Sequence, residues 1–181
     1  VQTCALPIWV LYQTTQMSFA LKGEPKPQNV GIEVQRDYWV ERAGQFVKLA
    51  QNRPTKLAKG DLIRVDLKVI LPAGRNFVVV SDPLPAGFEA LNTELANTSQ
   101  VDAAKAGSGG DGNGLWNFSF REFRSDQVNF YSEWLDKGVY NLSYTAQVIG
   151  SGEFIAPPTK AEEMYDADIF GSGTRTEFQI Q

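Results

Sequence analysis

Histidine is absent from the 181 residues. Its absence removes the commonest metal ligand and the usual general base near neutral pH. Cysteine occurs once, at Cys4, so an internal disulfide is excluded. Positive charge is sparse and scattered: 17 Lys and Arg stand against 21 Asp and Glu, for a net charge of −4. That leaves no electrostatic footprint for nucleic acid or an anionic membrane. There is no internal repeat, no helical heptad, and no visible signal peptide or membrane span. What is present is apolar and aromatic. Hydrophobic residues make up 43% and aromatics 12%, which places the chain among globular proteins. The length suits one domain of sandwich size with a sizeable core.

The first eight residues, VQTCALPI, resemble the conceptual translation of a common sequencing adapter. They read as an assembly scar, with residues 9–181 as a single domain from a longer, truncated metagenomic sequence. Cys4 falls inside the scar. The remainder is then cysteine-free, with no thiol nucleophile and no thioester of its own.

Nearly every periodic segment has period two. Trp9 to Phe19 alternates and reads as a first strand, and Leu21 to Asn29, with Gly23, Pro25 and Pro27, as a connection. In the second strand, Val30 to Arg42, Ile32, Val34, Tyr38 and Val40 share a face. Arg36 lies on that apolar parity, where its stem can cover apolar surface while its head reaches the sheet edge. Ala43-Gly44-Gln45 reads as a hairpin turn into Phe46–Leu49. Leu62 to Leu71 alternates most clearly, with Ile63, Val65, Leu67, Val69 and Leu71 against Arg64, Asp66 and Lys68. One buried and one wet face is what an antiparallel sandwich requires. Phe77 to Val80 is a continuous apolar run and reads as a central strand. Asp82 to Glu89, DPLPAGFE, ends it and sends Phe88 into the end of the sandwich.

Gly107 to Gly114, GSGGDGNG, belongs to a long connection. Asp111 and Asn113 supply too few ligands for a calcium loop, so it reads as a surface loop. Leu115 to Phe123 and Asp126 to Leu135 form a strand pair, with Trp116, Phe118 and Phe120 sharing a face, followed by Val128, Phe130 and Trp134. Val139 to Ile149 turns Tyr140, Leu142, Tyr144, Ala146 and Val148 in, and Asn141, Ser143, Thr145 and Gln147 out. Thr174 to Ile180 closes the chain with Phe178 and Ile180 inward. The expectation is all-β: an antiparallel two-sheet β-sandwich of about eight to ten strands.

Chemistry is hard to find in this pattern. Nucleophilic catalysis needs a base, and histidine is missing. No glycine-rich phosphate loop joins a strand to a helix. The sequence therefore predicts no catalytic residues, no metal, no cofactor and no enzyme.

The most informative stretch is EFIAPPTKAEEMYDADIFG, Glu153 to Gly171. Pro157 and Pro158 remove two donors and force an extended path, which excludes a central strand after them. Thr159 with Glu162 has capping-box spacing and predicts a single helical turn. On that turn Glu162 and Glu163 point about 100° apart and do not converge. They favour a helix start or meet a basic partner. Met164 and Tyr165 would stand out on a loop. Two readings fit a thioether beside a large ring: both fold back onto their own core, or both cover another surface.

Several marks recur in order. They are NVGIEVQRDY from Asn29, KGD from Lys59, DPLPAGFE from Asp82, a Tyr-rich strand, and PP…AEEMYD from Pro157. In that order they resemble the C-terminal macroglobulin-like domain of bacterial α2-macroglobulins, large cell-envelope proteins that trap proteases. The resemblance covers nearly all of the chain after the scar. Ala167 follows Asp166 where the family usually has proline. The resemblance implies a non-catalytic sandwich that docks on the thioester domain of the same parent chain. Other macroglobulin-like domains and target proteases would be its further partners, and the periplasm or cell envelope its location. It implies that Met164 and Tyr165 shield the thioester from water, with Glu162, Glu163 and Asp166 at the same interface. The alternative is an immunoglobulin-like stalk or adhesin repeat, in which Met164 and Tyr165 have no role. A carbohydrate-binding or hydrolytic sandwich would need an aromatic platform or converging carboxylates.

Overall fold

The computed structural model describes residues 15, 26–50, 55–91 and 117–181. The expected strand at Trp9–Phe19 apart from Thr15, the tail with Cys4, the loop Gly107–Gly114 and Trp116 lie outside them. Fourteen strands run through the described residues, and no α-helix does. In chain order they are β1 (Gln28–Val30), β2 (Glu33–Arg42), β3 (Gln45–Lys48), β4 (Thr55–Leu57), β5 (Leu62–Leu71), β6 (Arg75–Pro83) and β7 (Phe88–Leu91). There follow β8 (Phe120–Phe123), β9 (Gln127–Leu135), β10 (Gly138–Val148), β11 (Gly152–Ala156), β12 (Lys160–Glu163), β13 (Asp166–Ser172) and β14 (Thr176–Ile180).

Two large antiparallel sheets make a β-sandwich. One has the order β1-β13-β12-β6-β9-β8, the other β3-β2-β5-β10-β7. A small third sheet, β11-β14-β4, contains the parallel pair β14–β4. The alternation read from sequence sets the inner face of the five-stranded sheet. Ile32 just before β2, Val34, Tyr38 and Val40 within it, the odd positions 63–71 of β5, and the even positions 140–148 of β10 are all buried. They pack on Val78 and Val80 of β6, Val128 and Phe130 of β9, and Ala161 of β12. Phe88, Phe178 and Tyr38 fill one region of this core ring against ring, at centroid separations of 4.9 and 5.0 Å.

The β2–β3 turn uses Ala43 and Gly44, both at positive φ, as a tight hairpin of the right twist requires. β13 passes so close to the start of β2 that a methyl at Gly171 would overlap the Ile32 carbonyl oxygen. Only glycine fits there.

Several expectations need correcting. The segment after Pro157-Pro158 is not a helical turn. Lys160–Glu163 is strand β12, central in its sheet between β6 and β13. The two missing proline donors fall before the ladder begins, so every N–H from Lys160 to Glu163 is available for pairing. Gln28 and Asn29 belong to β1 rather than to a connection. Phe118 is buried, but Phe120 is 59% exposed and stacks on Tyr131 outside the sheet. Irregular chain separates the two, so shared parity does not carry across. Trp134 is 53% exposed; it lies against Gly74 and donates Nε1–H to Asp136 at 3.0 Å. Thr145, expected outside, is buried between its cross-strand neighbours Arg64 and Leu91.

Candidate functional site

Two groups of side chains depart from ordinary sandwich packing, and β12 links them. The first is a buried ionic centre at its root. Arg36 reaches inward from β2, not to the sheet edge, and donates to Asp82 of β6 at 2.6 Å. Tyr144 of β10 and Thr159, just before β12, donate to the same carboxylate at 2.6 Å each. The Arg36 guanidinium also donates to the carbonyls of Thr174 at 3.1 Å and Ala156 at 3.4 Å.

This set draws on both large sheets and on β11 of the third. A buried carboxylate is tolerated only with this kind of company. Burial disfavours the Arg36 charge, but Asp82, Tyr38 and Tyr144 outweigh it and raise its pKa. Burial, and then the charge of Asp82, raise the Tyr144 phenol well above its ordinary value. Tyr144 thus stays a donor. Thr159, expected as a helix cap, is instead fully buried as the Asp82 ligand nearest the β12–β13 hairpin.

The second group is the tip of that hairpin. Met164 is 50% and Tyr165 80% exposed. Of the two readings open from sequence, folding back onto the core does not occur. The Met164 N–H donates to the Phe77 carbonyl at 2.8 Å. The Tyr165 ring meets the Phe77 ring edge-on, with centroids 5.1 Å apart at 86°. Phe77 is itself 46% exposed and has a φ of +48°. For a bulky residue that conformation costs on the order of 1–3 kcal/mol.

The acidic neighbours are held by their own domain. Glu162 pairs with Lys160. Glu163 accepts the Asn76 N–H at 3.2 Å and lies 4.0 Å from Arg75. Asp166 accepts the Asp168 N–H at 3.1 Å and so shapes the turn. Among the described residues no three acidic, histidine or cysteine side chains are grouped to hold a metal.

A third polar group lies on the outer face of the six-stranded sheet. Glu122 accepts from Asn129 and Tyr131 at 3.0 Å and pairs with Arg124 at 2.8 Å. Arg124 foremost, then Asn129 and Tyr131, hold its carboxyl down at about 2.

The exposure of Met164 and Tyr165 is as the sequence predicts, whereas nothing in the sequence points to Phe77. Sequence reasoning also misses the Arg36–Asp82 pairing, for which there is a sign. Arg36 sits on the inward parity of β2, and Asp82 on the inward parity continued from Val78 and Val80.

The family model for the bacterial α2-macroglobulin MG10 domain matches residues 31–168, a span that contains both β12 and the tip. The chain belongs to this family. Macroglobulin homologues agree with that assignment. An α2-macroglobulin homolog from Nostoc sp. is 27% identical over 165 residues, covering 89% of this chain and 8% of the relative. One from Yersinia pestis is 26% identical over 176 residues, covering 90% and 8%. The MG10 chain thus spans about 8% of the length of these relatives. Among solved structures, Escherichia coli α2-macroglobulin activated by porcine elastase superposes with a TM-score of 0.69 at 23% identity, covering 87% of this chain and 14% of that one. Salmonella α2-macroglobulin reacted with methylamine gives 0.66 at 21%, covering 87% and 10%. These likenesses show the shared macroglobulin-domain fold.

Proposed function

We propose that this domain is a non-catalytic lid within a protease-trapping α2-macroglobulin. It docks on the thioester domain of its parent chain, and Met164 and Tyr165 cover the reactive bond. The single observation that carries the reading is the exposure of both side chains on their own domain, at a hairpin tip braced by a central strand. Membership of the MG10 family supports it.

The mechanism is water exclusion. An acyl thioester survives only while it is kept dry, and an apolar cover lengthens its life. Cleavage of the parent by a protease elsewhere would move the lid, and the uncovered thioester would pass its acyl group to a nucleophile on that protease, breaking the C–S bond and releasing the thiol. The domain contributes restraint and timing and makes no bond itself. Glu162, Glu163 and Asp166 rim the same surface. The remaining partners are the neighbouring macroglobulin-like domains and, through the parent, its target proteases. The location is the periplasm or cell envelope, and no cofactor is required.

The test is Tyr165→Gly in an intact, thioester-bearing parent, followed by methylamine uptake. A rise of about tenfold, equivalent to about 1.4 kcal/mol of lost protection, is the expected outcome. Uptake equal to wild type would remove Tyr165 from the lid.

A further inference from the structure

Two non-glycine residues have positive φ among those described, Ala43 and Phe77. Ala43 sits in a hairpin turn whose geometry demands it. Phe77 has no such excuse: it lies inside β6, between Asn76 and Val78, both paired in register with β9. A large aromatic residue at φ +48° is an outlier in a position that suits glycine. The ring it carries is not spent on the core, since it is nearly half exposed.

Every residue from Glu163 to Tyr165 touches this short piece of β6. Glu163 accepts the Asn76 N–H, Met164 donates to the Phe77 carbonyl, and Tyr165 sets its ring edge-on to the Phe77 ring. We propose that Phe77 is the positioning residue of the tip and the third member of its apolar surface. Its ring lies on the outward parity of β6, where it braces Tyr165 edge-on and adds its own exposed face to the surface offered to the partner. The proposal rests on the lid reading given above.

The backbone itself supplies the test. Phe77→Gly removes the ring while giving the chain a residue at ease with that φ. The melting temperature of this chain is expected to stay level or rise. The nuclear Overhauser contact to Tyr165 should vanish, with the Tyr165 ring signals moving toward free-peptide positions. In a thioester-bearing parent, methylamine uptake is expected to increase about two- to tenfold, the range for losing one aromatic pair. Adding Phe77→Gly to Tyr165→Gly should then change uptake less than it does alone.

A fall in melting temperature would overturn the proposal by showing that the ring serves its own fold. Unmoved Tyr165 signals would overturn the positioning role. If Tyr165→Gly raises uptake and Phe77→Gly does not, the proposal for Phe77 fails and the lid reading stands. If neither raises uptake, the lid reading fails and takes this proposal with it.

Discussion

The ionic centre and the hairpin tip occupy the two ends of β12, and each reverses the usual placement of its chemistry. At one end a charged pair is hidden. At the other a thioether and two rings are exposed. The hidden pair is possible because Arg36, Tyr144 and Thr159 all donate to Asp82. The exposed group has little to gain from its own domain beyond one ring contact and one backbone hydrogen bond. The difference teaches where each cost is recovered. The centre repays its desolvation inside the fold, by joining elements of all three sheets. The tip repays its exposure and its strained Phe77 only if another surface covers it.

That contrast can be broken by mutation. The largest effect is expected from Asp82→Ala, which leaves the Arg36 charge buried without its partner. The loss should be about 3–5 kcal/mol, read as a lowered urea midpoint. A loss below about 1 kcal/mol would mean that the centre is not what ties the sheets together. Tyr144→Phe removes one donor to a buried carboxylate and should cost about 1–3 kcal/mol.

The same tyrosine gives a pH signature. Its folded pKa is raised, so the folded chain keeps a proton that the unfolded chain releases. The stability it supplies is complete below about pH 10, the ordinary phenol value, and drains away as pH climbs above it. Alkaline unfolding should therefore start later in Tyr144→Phe, relative to that variant's own neutral stability. At the other extreme, Glu122 is held at about 2 by Arg124, Asn129 and Tyr131. Its contribution is present above the ordinary carboxylate value and disappears as pH falls from about 4 toward 2. Glu122→Gln should flatten the acid limb of the stability curve in that window. The smallest effect on stability belongs to the tip. Tyr165→Gly should stay within about 1 kcal/mol, the scale of a single exposed ring pair.

Sequence reading reached the sandwich through β2, β5 and β10, where strict alternation leaves one register with a buried apolar face. It failed at β12 for a physical reason. The residues after Pro158 are Thr-Lys-Ala-Glu-Glu, which combine a cap signal with helix formers. Ladders from β6 and β13 on both sides outweigh that local preference, and no local signal announces them. The exposed pair Met164–Tyr165 was legible because the hairpin tip and the loop expected there present side chains alike. Phe77 was not, because an apolar run in a strand gives no hint of a left-handed backbone. Arg36 and Asp82 stand 46 residues apart in sequence. Only their matching inward parity connects them before the fold is known.

In the proposed lid, the tip protects a bond on a neighbour while doing little for its own fold. The most direct measurement is thiol release over time from an intact, thioester-bearing parent with Met164→Ser and Tyr165→Ser together, beside the melting temperature of the same variant. Markedly faster release at an almost unchanged melting temperature is expected. Release at the wild-type rate, or acceleration accompanied by a collapse in stability, would contradict it.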